Sequence, residues 1–446
     1  MHNSNPEHLE KVRQQFDYRP FPPILPENSK APDYNFRFIH SLTTPFYLRD
    51  RAVTLPTHKV ILDLGCGSGL KTIGLAEANP DAEIIGVDVS PRSIEVAQQQ
   101  LGQHNHLNIQ FYNLDLEHLS QLNRKFDYIN CDELLYLFPK PSEALKIMAA
   151  VLTPQGIIRA NLHSALQRQA FSRAQELFRF MGLMEGNPEE LEIDLVSSFF
   201  QSLKDDTDLK RTTFWKGSPF QGNDKNTSIL MNYLFQGDQS FRINELFTML
   251  EMANLEFLSM VNWRKWDLLS LFQTQSLEEL PPFLAMAFSQ LSTQEQLYLF
   301  ELIQPIHRLF DFWCCLPQAK REPLAISEWQ DSHWQKAKIS LHPQLQMDAV
   351  KQTLILCVRN QSPFHFTQFI NLNNPQPVLI ESSVAACLLP LWEGPQSVQA
   401  LVDRRLYLSP YDGVTLQARS APQVWQEVCQ LLQLLESSLH VLIEQC

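Results

Sequence analysis

Three glycines spaced two apart, with an acid on either side of them, are the residues whose types and spacing point first to chemistry. Gly65, Gly67 and Gly69 follow the apolar run from Val60 to Leu64, and Asp63 lies near the end of that run. Glycine admits positive φ and lets backbone N–H groups approach a ligand closely. Leu70 to Ala78 then reads as a helix, whose N-terminus favours negative charge. A second apolar run, Glu83 to Val87, ends at Asp88. That carboxylate lies roughly 20 residues beyond the glycines, where an acid grips ribose hydroxyls in nucleotide-binding α/β units. A glycine loop alone would say little, because many strand–helix turns need glycine. The loop and Asp88 together, in a strand–helix–strand setting, point to a bound nucleotide.

The spacing also separates nucleotides. A dinucleotide fingerprint places its third glycine inside the helix, where this chain has Leu70. A carboxylate just before the loop would repel a pyrophosphate, whereas it suits an ammonium and a sulfonium. These residues resemble the first motif of class I S-adenosylmethionine-dependent methyltransferases, in which the acid and the loop hold the cationic methionine end of the cofactor. The resemblance runs on through residues 60–163 in the family's order. Asp88, within Gly-Val-Asp-Val-Ser, matches the acid that holds the ribose. Leu114-Asp115-Leu116 matches the position whose acid contacts the adenine amino group; Asp is also a common helix cap. Phe126 to Cys131 follows the family's Phe-Asp-x-Ile strand, and Leu152-Thr-Pro-Gln-Gly156 resembles the turn before strand five, with Gln155 where a glycine is usual. The resemblance implies S-adenosyl-L-methionine as cofactor and methyl transfer as the activity. The contacts it implies are Asp63, Gly65, Cys66, Gly67, Gly69, Asp88, Val89, Asp115, Leu116 and Cys131.

An amine or hydroxyl acceptor must also lose a proton. Candidates lie where strands four and five end, at Asp132, Glu133, Tyr136 and His163. Glu133 and His163 lead, since burial can tune both towards neutrality. Each has a plain structural alternative: Glu133 as a helix cap, His163 as a satisfied core histidine. Small molecules and protein side chains fit a capped site equally, so the acceptor is not legible. A protein that binds S-adenosylmethionine as a sensor without transferring anything is the competing reading.

The elements that must position these residues are five strands alternating with helices. They predict an α/β fold with a doubly wound, mostly parallel, Rossmann-like sheet of the seven-stranded type. Residues 1–58 form an N-terminal arm, with Pro20, Pro22, Pro23 and Pro26 enforcing extended or turned chain and 36–51 a short helical segment interrupted at Pro45. Tyr18, Phe36, Phe46 and Tyr47 are either lid residues over the cofactor or packing residues. The methyltransferase domain spans 59–275, with a helical cap inserted at 164–240. Arg168, Arg173 and Arg179 in that insert read as a solvated helical face. A mainly helical C-terminal domain follows over 276–446, with 297–312 as a helix broken at Pro305 and 423–443 as a long final helix. Its last part, about 376–446, resembles a winged-helix-type regulatory module. Over most of its length the chain resembles two-part cyanobacterial members of the superfamily.

Composition bounds the rest. At 446 residues the chain is long enough for two domains. The net charge of −13 argues against non-specific nucleic-acid binding, which needs cationic surface. No run is apolar and long enough to span a bilayer, and Met1 to Gln15 is polar, without a signal segment; a cytoplasmic protein is expected. The eight cysteines include no Cys-x-x-Cys pair, so no metal is expected. Adjacent Cys314 and Cys315 read as reduced, packed thiols. The C-terminal domain is expected to contact a protein partner or a second copy.

Overall fold

A computed structural model of the chain describes residues 6–21, 33–102, 108–213, 225–274, 276–318, 324–372 and 378–445. The proline-rich stretch from Pro22 to Pro26 and the Pro375-Gln-Pro377 punctuation lie outside the described residues. The strands of the main sheet are β1 Val60–Leu64, β2 Glu83–Asp88, β3 Ile109–Asn113, β4 Phe126–Cys131, β5 Leu152–Ser164, β6 Ser240–Phe241, β7 Glu256–Met260 and β8 Leu309–Cys315. They are ordered β3-β2-β1-β4-β5-β8-β7, with the two-residue β6 beside the end of β5. β1 to β5 are mutually parallel, and β8 runs antiparallel to both β5 and β7. Runs such as Val60-Ile-Leu and Ile84-Ile-Gly-Val are apolar throughout because helices cover both faces of the sheet. The strand order reverses between β1 and β4, and the crevice at such a switch point is where open α/β sheets bind ligands.

The boundary predicted at 275/276 cuts through this body. β8 lies between β5 and β7 in the sheet, so residues up to Cys315 belong to it. The helix expected over 297–312 is instead Thr293–Ile303, which ends before Pro305, followed by β8. Within 164–240 the described residues form the helices Gln169–Phe180, Glu190–Ser202, Asp208–Thr212 and Lys225–Tyr233. They enclose their own core around Phe178, Phe200, Ile229 and Tyr233.

The C-terminal body combines helices with a second sheet, whose strands are β9 Ala337–Leu341, β10 Gln396–Ser397 and β11 Val441–Gln445. They are antiparallel in the order β10-β9-β11. The last helix stops at Glu436, Leu439 turns the chain with φ 55°, and β11 replaces the helical end expected up to Ile443. Within 376–446, β10 and β11 flank the helices Val398–Leu408 and Ala421–Glu436, and the strand between them in the sheet, β9, comes from outside that stretch.

The arm helices Tyr34–His40 and Thr43–Asp50 bridge the two bodies. Phe38 and Tyr47 are buried in the C-terminal core. The Tyr47 hydroxyl stands 3.1 Å from Glu436 Oε1 and accepts from the Ile443 N–H at 2.9 Å. Phe36 packs in the other direction, against the Leu70–Ala78 helix. There a Cβ on Gly74 would come within 2.1 Å of its ring. Phe46 is buried in a cluster with Ile61 and Trp313, so Phe36, Phe46 and Tyr47 are packing residues rather than lid residues.

Candidate active site

The loop after β1 forms a cradle at the switch point. Gly65, Gly67 and Gly69 have φ of 73°, 52° and 82°, in the left-handed region open to glycine. The Gly65 and Cys66 N–H groups donate to the Val87 carbonyl at 2.9 and 3.0 Å, tying the loop to β2. A Cβ on Gly65 would lie 2.8 Å from Leu134. At the end of β2, Asp88 accepts from the Gly67 N–H at 2.9 Å and the Ser90 N–H at 2.8 Å. Burial pushes its carboxyl up to about 6.

A cavity of about 1060 Å³ opens from this cradle. Of the residues expected at the site, Gly65, Cys66, Gly67, Asp88, Val89, Asp115, Leu116, Glu133, Tyr136 and His163 all line it. Asp63, Gly69 and Cys131 do not line it. Asp63 is buried beneath the loop, where it accepts from Thr72 Oγ1 at 2.6 Å and Asn130 Nδ2 at 2.8 Å. It braces the loop, while the side chains presented at this end of the cavity are Lys71 and Asp132, paired at 2.6 Å. Gly69 caps the following helix, and Cys131 is packed in the core. Asp115 takes the cap geometry, accepting from the His118 N–H at 3.1 Å and contacting its ring at 2.6 Å, yet it still faces the cavity.

A row of polar side chains lies under the floor. Asp63, Asn130 and Arg159 are register neighbours across β1, β4 and β5. Arg159 donates to Asp311 on β8 at 3.0 and 2.8 Å and to Asn130 at 3.2 Å. It also reaches Asp132 at 3.5 Å. Burial would raise Asp132, but Arg159 and Lys71 outweigh that and hold it well below the ordinary carboxylate range. Asp132 is a fixed anion and drops out as a base candidate.

The far wall is a second network. Tyr136 stacks on His163 with ring centroids 3.7 Å apart and donates to Glu133 at 2.8 Å. Arg308, just before β8, pairs with both Glu133 oxygens and stands 3.0 Å from His163 Nε2. On the other side of the ring, Asp238 Oδ1 lies 2.6 Å from His163 Nδ1. Arg168 and Gln175 donate to Asp238 Oδ2 at 3.0 and 2.8 Å. Arg168 is thus fully buried on Asp238 rather than part of a solvated face. Burial opposes ionisation of Glu133, but the Arg308 guanidinium prevails and the Glu133 carboxyl sits below its usual value. Glu133 is therefore not the tuned base expected. Burial lowers His163, with Asp238 partly opposing it, so the imidazole is neutral near pH 7. Burial, and then Glu133, keep the Tyr136 phenol protonated.

The lid comes from a segment that reads in sequence only as a polar terminus. The helix Pro6–Tyr18 crosses the cavity and places Leu9, Val12, Arg13 and Phe16 in its wall. Opposite stand Met231, Asn232 and Phe235 from the end of the insert. Tyr18 itself points away, to Glu190 at 3.1 Å. Arg308, Asp238, Lys71 and this helix were missed because nothing local marks them.

The fold and the cradle define a nucleotide-binding α/β enzyme of the methyltransferase type, and comparison with known proteins agrees. Residues 56–213 match the family model described as a methyltransferase domain. An uncharacterised protein of Synechococcus sp. is 27% identical over 323 residues, which cover 72% of this chain and 74% of that one. The ubiquinone biosynthesis O-methyltransferase of Coxiella burnetii is 40% identical over 98 residues. That match covers 22% of this chain and 41% of the relative, so the likeness spans less than half of that protein. PKMT2 from Rickettsia typhi, solved in complex with AdoHcy, shares the fold with a TM-score of 0.58 at 15% identity, over 93% of this chain and 77% of that one. Residues 56–213 thus form a methyltransferase domain, whose methyl donor is S-adenosylmethionine.

The cradle fits that cofactor. Gly65 and Gly67 line the cavity with backbone alone, and the Asp88 carboxylate faces the same space, where an acid that accepts from ribose hydroxyls would stand. The Lys71–Asp132 pair offers complementary charges to a zwitterionic amino-acid end. No described helix is long and apolar enough to cross a membrane.

Proposed function

We propose that the acceptor, a small molecule or a protein side chain, occupies the part of the cavity between the Pro6–Tyr18 helix and the far wall. The observation that supports this reading is that one continuous space joins the glycine loop and Asp88 to His163 and Arg308. At about 1060 Å³ it sits at the top of the roughly 300–1,000 Å³ range of ligand pockets, leaving room for an acceptor beside a cofactor. Gly65, Cys66, Gly67, Asp88, Val89, Asp115 and Leu116 hold the cofactor, with Asp63 and Gly69 acting through the loop they support. When bound, S-adenosylmethionine supplies a methyl group already activated on a sulfonium. The protein's share is to align the acceptor, exclude water and take up a proton. The arm and insert helices do the excluding. His163 is the neutral imidazole available for the proton, with Tyr136 and Glu133 fixing its face and its neighbour Arg308. The C-terminal body serves as a docking surface for a partner or a second copy.

Calorimetry with S-adenosylmethionine and with NADH tests the cofactor: preference for NADH overturns it. Incubating the protein and methyl-labelled S-adenosylmethionine with a lysate of the source organism, then separating protein from small molecules, tests the acceptor. Label enters one fraction if the reading holds. Label in neither points instead to a sensor of S-adenosylmethionine.

A further inference from the structure

The far wall holds a hydrogen-bond arrangement that constrains both the proton's destination and the acceptor's chemistry. His163 is almost wholly buried between two charged partners, Asp238 at Nδ1 and Arg308 at Nε2, 2.6 and 3.0 Å away. A carboxylate only accepts and a guanidinium only donates. The proton of the neutral ring must therefore lie on Nδ1, leaving the Nε2 lone pair directed at the cavity side. Asp238 cannot turn away, because Arg168 and Gln175 anchor its other oxygen. Glu133 Oε2, 3.9 Å from Nε2, and the stacked Tyr136 complete the groups that face the ring.

Arg308 is the replaceable member. Its side chain is 46% exposed, and its second nitrogen pairs independently with Glu133 Oε1. It can release Nε2 without losing Glu133. What takes its place must donate a hydrogen bond, since Nε2 and the Glu133 carboxylate both accept. A carboxylate acceptor would meet a lone pair and a like charge there.

We propose that Asp238 is a positioning residue that fixes His163 as the proton acceptor through Nε2, and that the methyl acceptor is an amine or hydroxyl whose N–H or O–H takes the place of Arg308 on that atom. This rests on the methyl-transfer reading above. The acceptor's N–H or O–H bond breaks, its proton goes to Nε2, and its electron pair forms the new bond to carbon, while the carbon–sulfur pair stays with sulfur as a neutral thioether. Asp238 balances the resulting imidazolium.

Nitrogen-15 NMR of the full chain, labelled in histidine and saturated with S-adenosylhomocysteine, reads the tautomer without needing the acceptor; His163→Gln assigns the signal. The wild-type ring carries its proton on Nδ1. In Asp238→Asn, Arg168 and Gln175 retain the amide oxygen on their side, so the NH₂ faces Nδ1; the proton moves to Nε2, and Arg308 releases that atom while keeping Glu133. A wild-type ring protonated on Nε2 overturns the proposal, and so does a folded Asp238→Asn whose tautomer is unchanged. In the lysate assay His163→Gln and Asp238→Asn each lower labelling by about 100-fold or more, the scale of general-base catalysis. Calorimetry shows S-adenosylhomocysteine affinity within about threefold of wild type, the small change expected of groups that do not hold the cofactor. Full labelling by His163→Gln overturns the proton-acceptor role. Label released as volatile methanol by mild alkali marks a methyl ester and overturns the amine or hydroxyl class. If no lysate fraction is labelled at all, methyl transfer itself is in question, and the tautomer measurement still decides the role of Asp238.

Discussion

Gln15 and Gln236 are joined across 221 residues of chain: the Gln15 side-chain oxygen accepts from the Gln236 backbone N–H at 2.9 Å. The Gln15 amide also donates to the Leu234 carbonyl at 2.9 Å, so one buried side chain bolts the arm helix to the insert over the cavity. Gln15→Ala leaves both backbone groups unpaired at a cost of about 1–3 kcal/mol each. The lid should loosen, and S-adenosylhomocysteine should leave about tenfold faster or more. Stopped-flow measurement of dissociation checks this. An unchanged rate would mean that the helix does not close over the cofactor.

Asp88→Ala should abolish cofactor binding by calorimetry, because Asp88 is the half-buried acid that lines the cavity beside the glycine loop. Retention of full affinity would place the ribose elsewhere.

The same residue predicts a pH dependence. Burial raises the Asp88 carboxyl to about 6, and the hydroxyl-accepting form is the ionised one. Affinity for S-adenosylhomocysteine should therefore be level above about pH 7 and decline below pH 6, by up to about tenfold per pH unit. Asp88→Asn should bind weakly with a flat profile over this range. A wild-type affinity that is constant from pH 7.5 to 5 would contradict the assignment.

Arg159→Met removes the only cation bonded to Asp311 among the described side-chain pairs and one of two holding Asp132. Breaking a buried ion pair from one side costs about 3–5 kcal/mol, which should appear as a lower denaturant midpoint. Adding Asp311→Asn should recover part of that loss, since the stranded charge goes with it. Equal stability of Arg159→Met and wild type would show that water reaches the floor network.

The parts of the fold that were legible in sequence are those written in contiguous residues. β1, its glycine loop, the next helix and Asp88 form one local unit, so each residue's neighbours in sequence are its neighbours in space. β8 was not legible as a strand. Leu309-Phe-Asp-Phe-Trp-Cys-Cys315 is nearly unbroken apolar chain because both sheet faces cover it, and such a run carries no period to separate strand from helix. The end of the last helix was obscured in a similar way. Val441-Leu-Ile443 continues its apolar content, and the turn at Leu439 carries no glycine.

The site divides along the same line. The cradle residues that share the cavity are written in one motif, while the far wall depends on pairings over long separations, His163 with Asp238 and Glu133 with Arg308. Glu133 was expected to be a base from its burial alone. Its charge partner lies 175 residues away and reverses the direction of the shift. Asp63 shows the converse: the motif suggests a ligand contact, but its oxygens accept from Thr72 and Asn130.

The bridge made by the arm helices has a practical side. Phe36 is seated in the groove left by Gly74 on the cofactor-side helix, while Phe38, two residues on, and Tyr47 are sunk in the C-terminal core. Excising the tail before β9 would bare the latter two rings at about 1.5–3 kcal/mol for a side chain such as Phe, within a segment whose other face must still grip Gly74. The methyltransferase half is therefore not a cassette that can be expressed or shuffled alone. Recombination that exchanges one body must carry a matched arm with it.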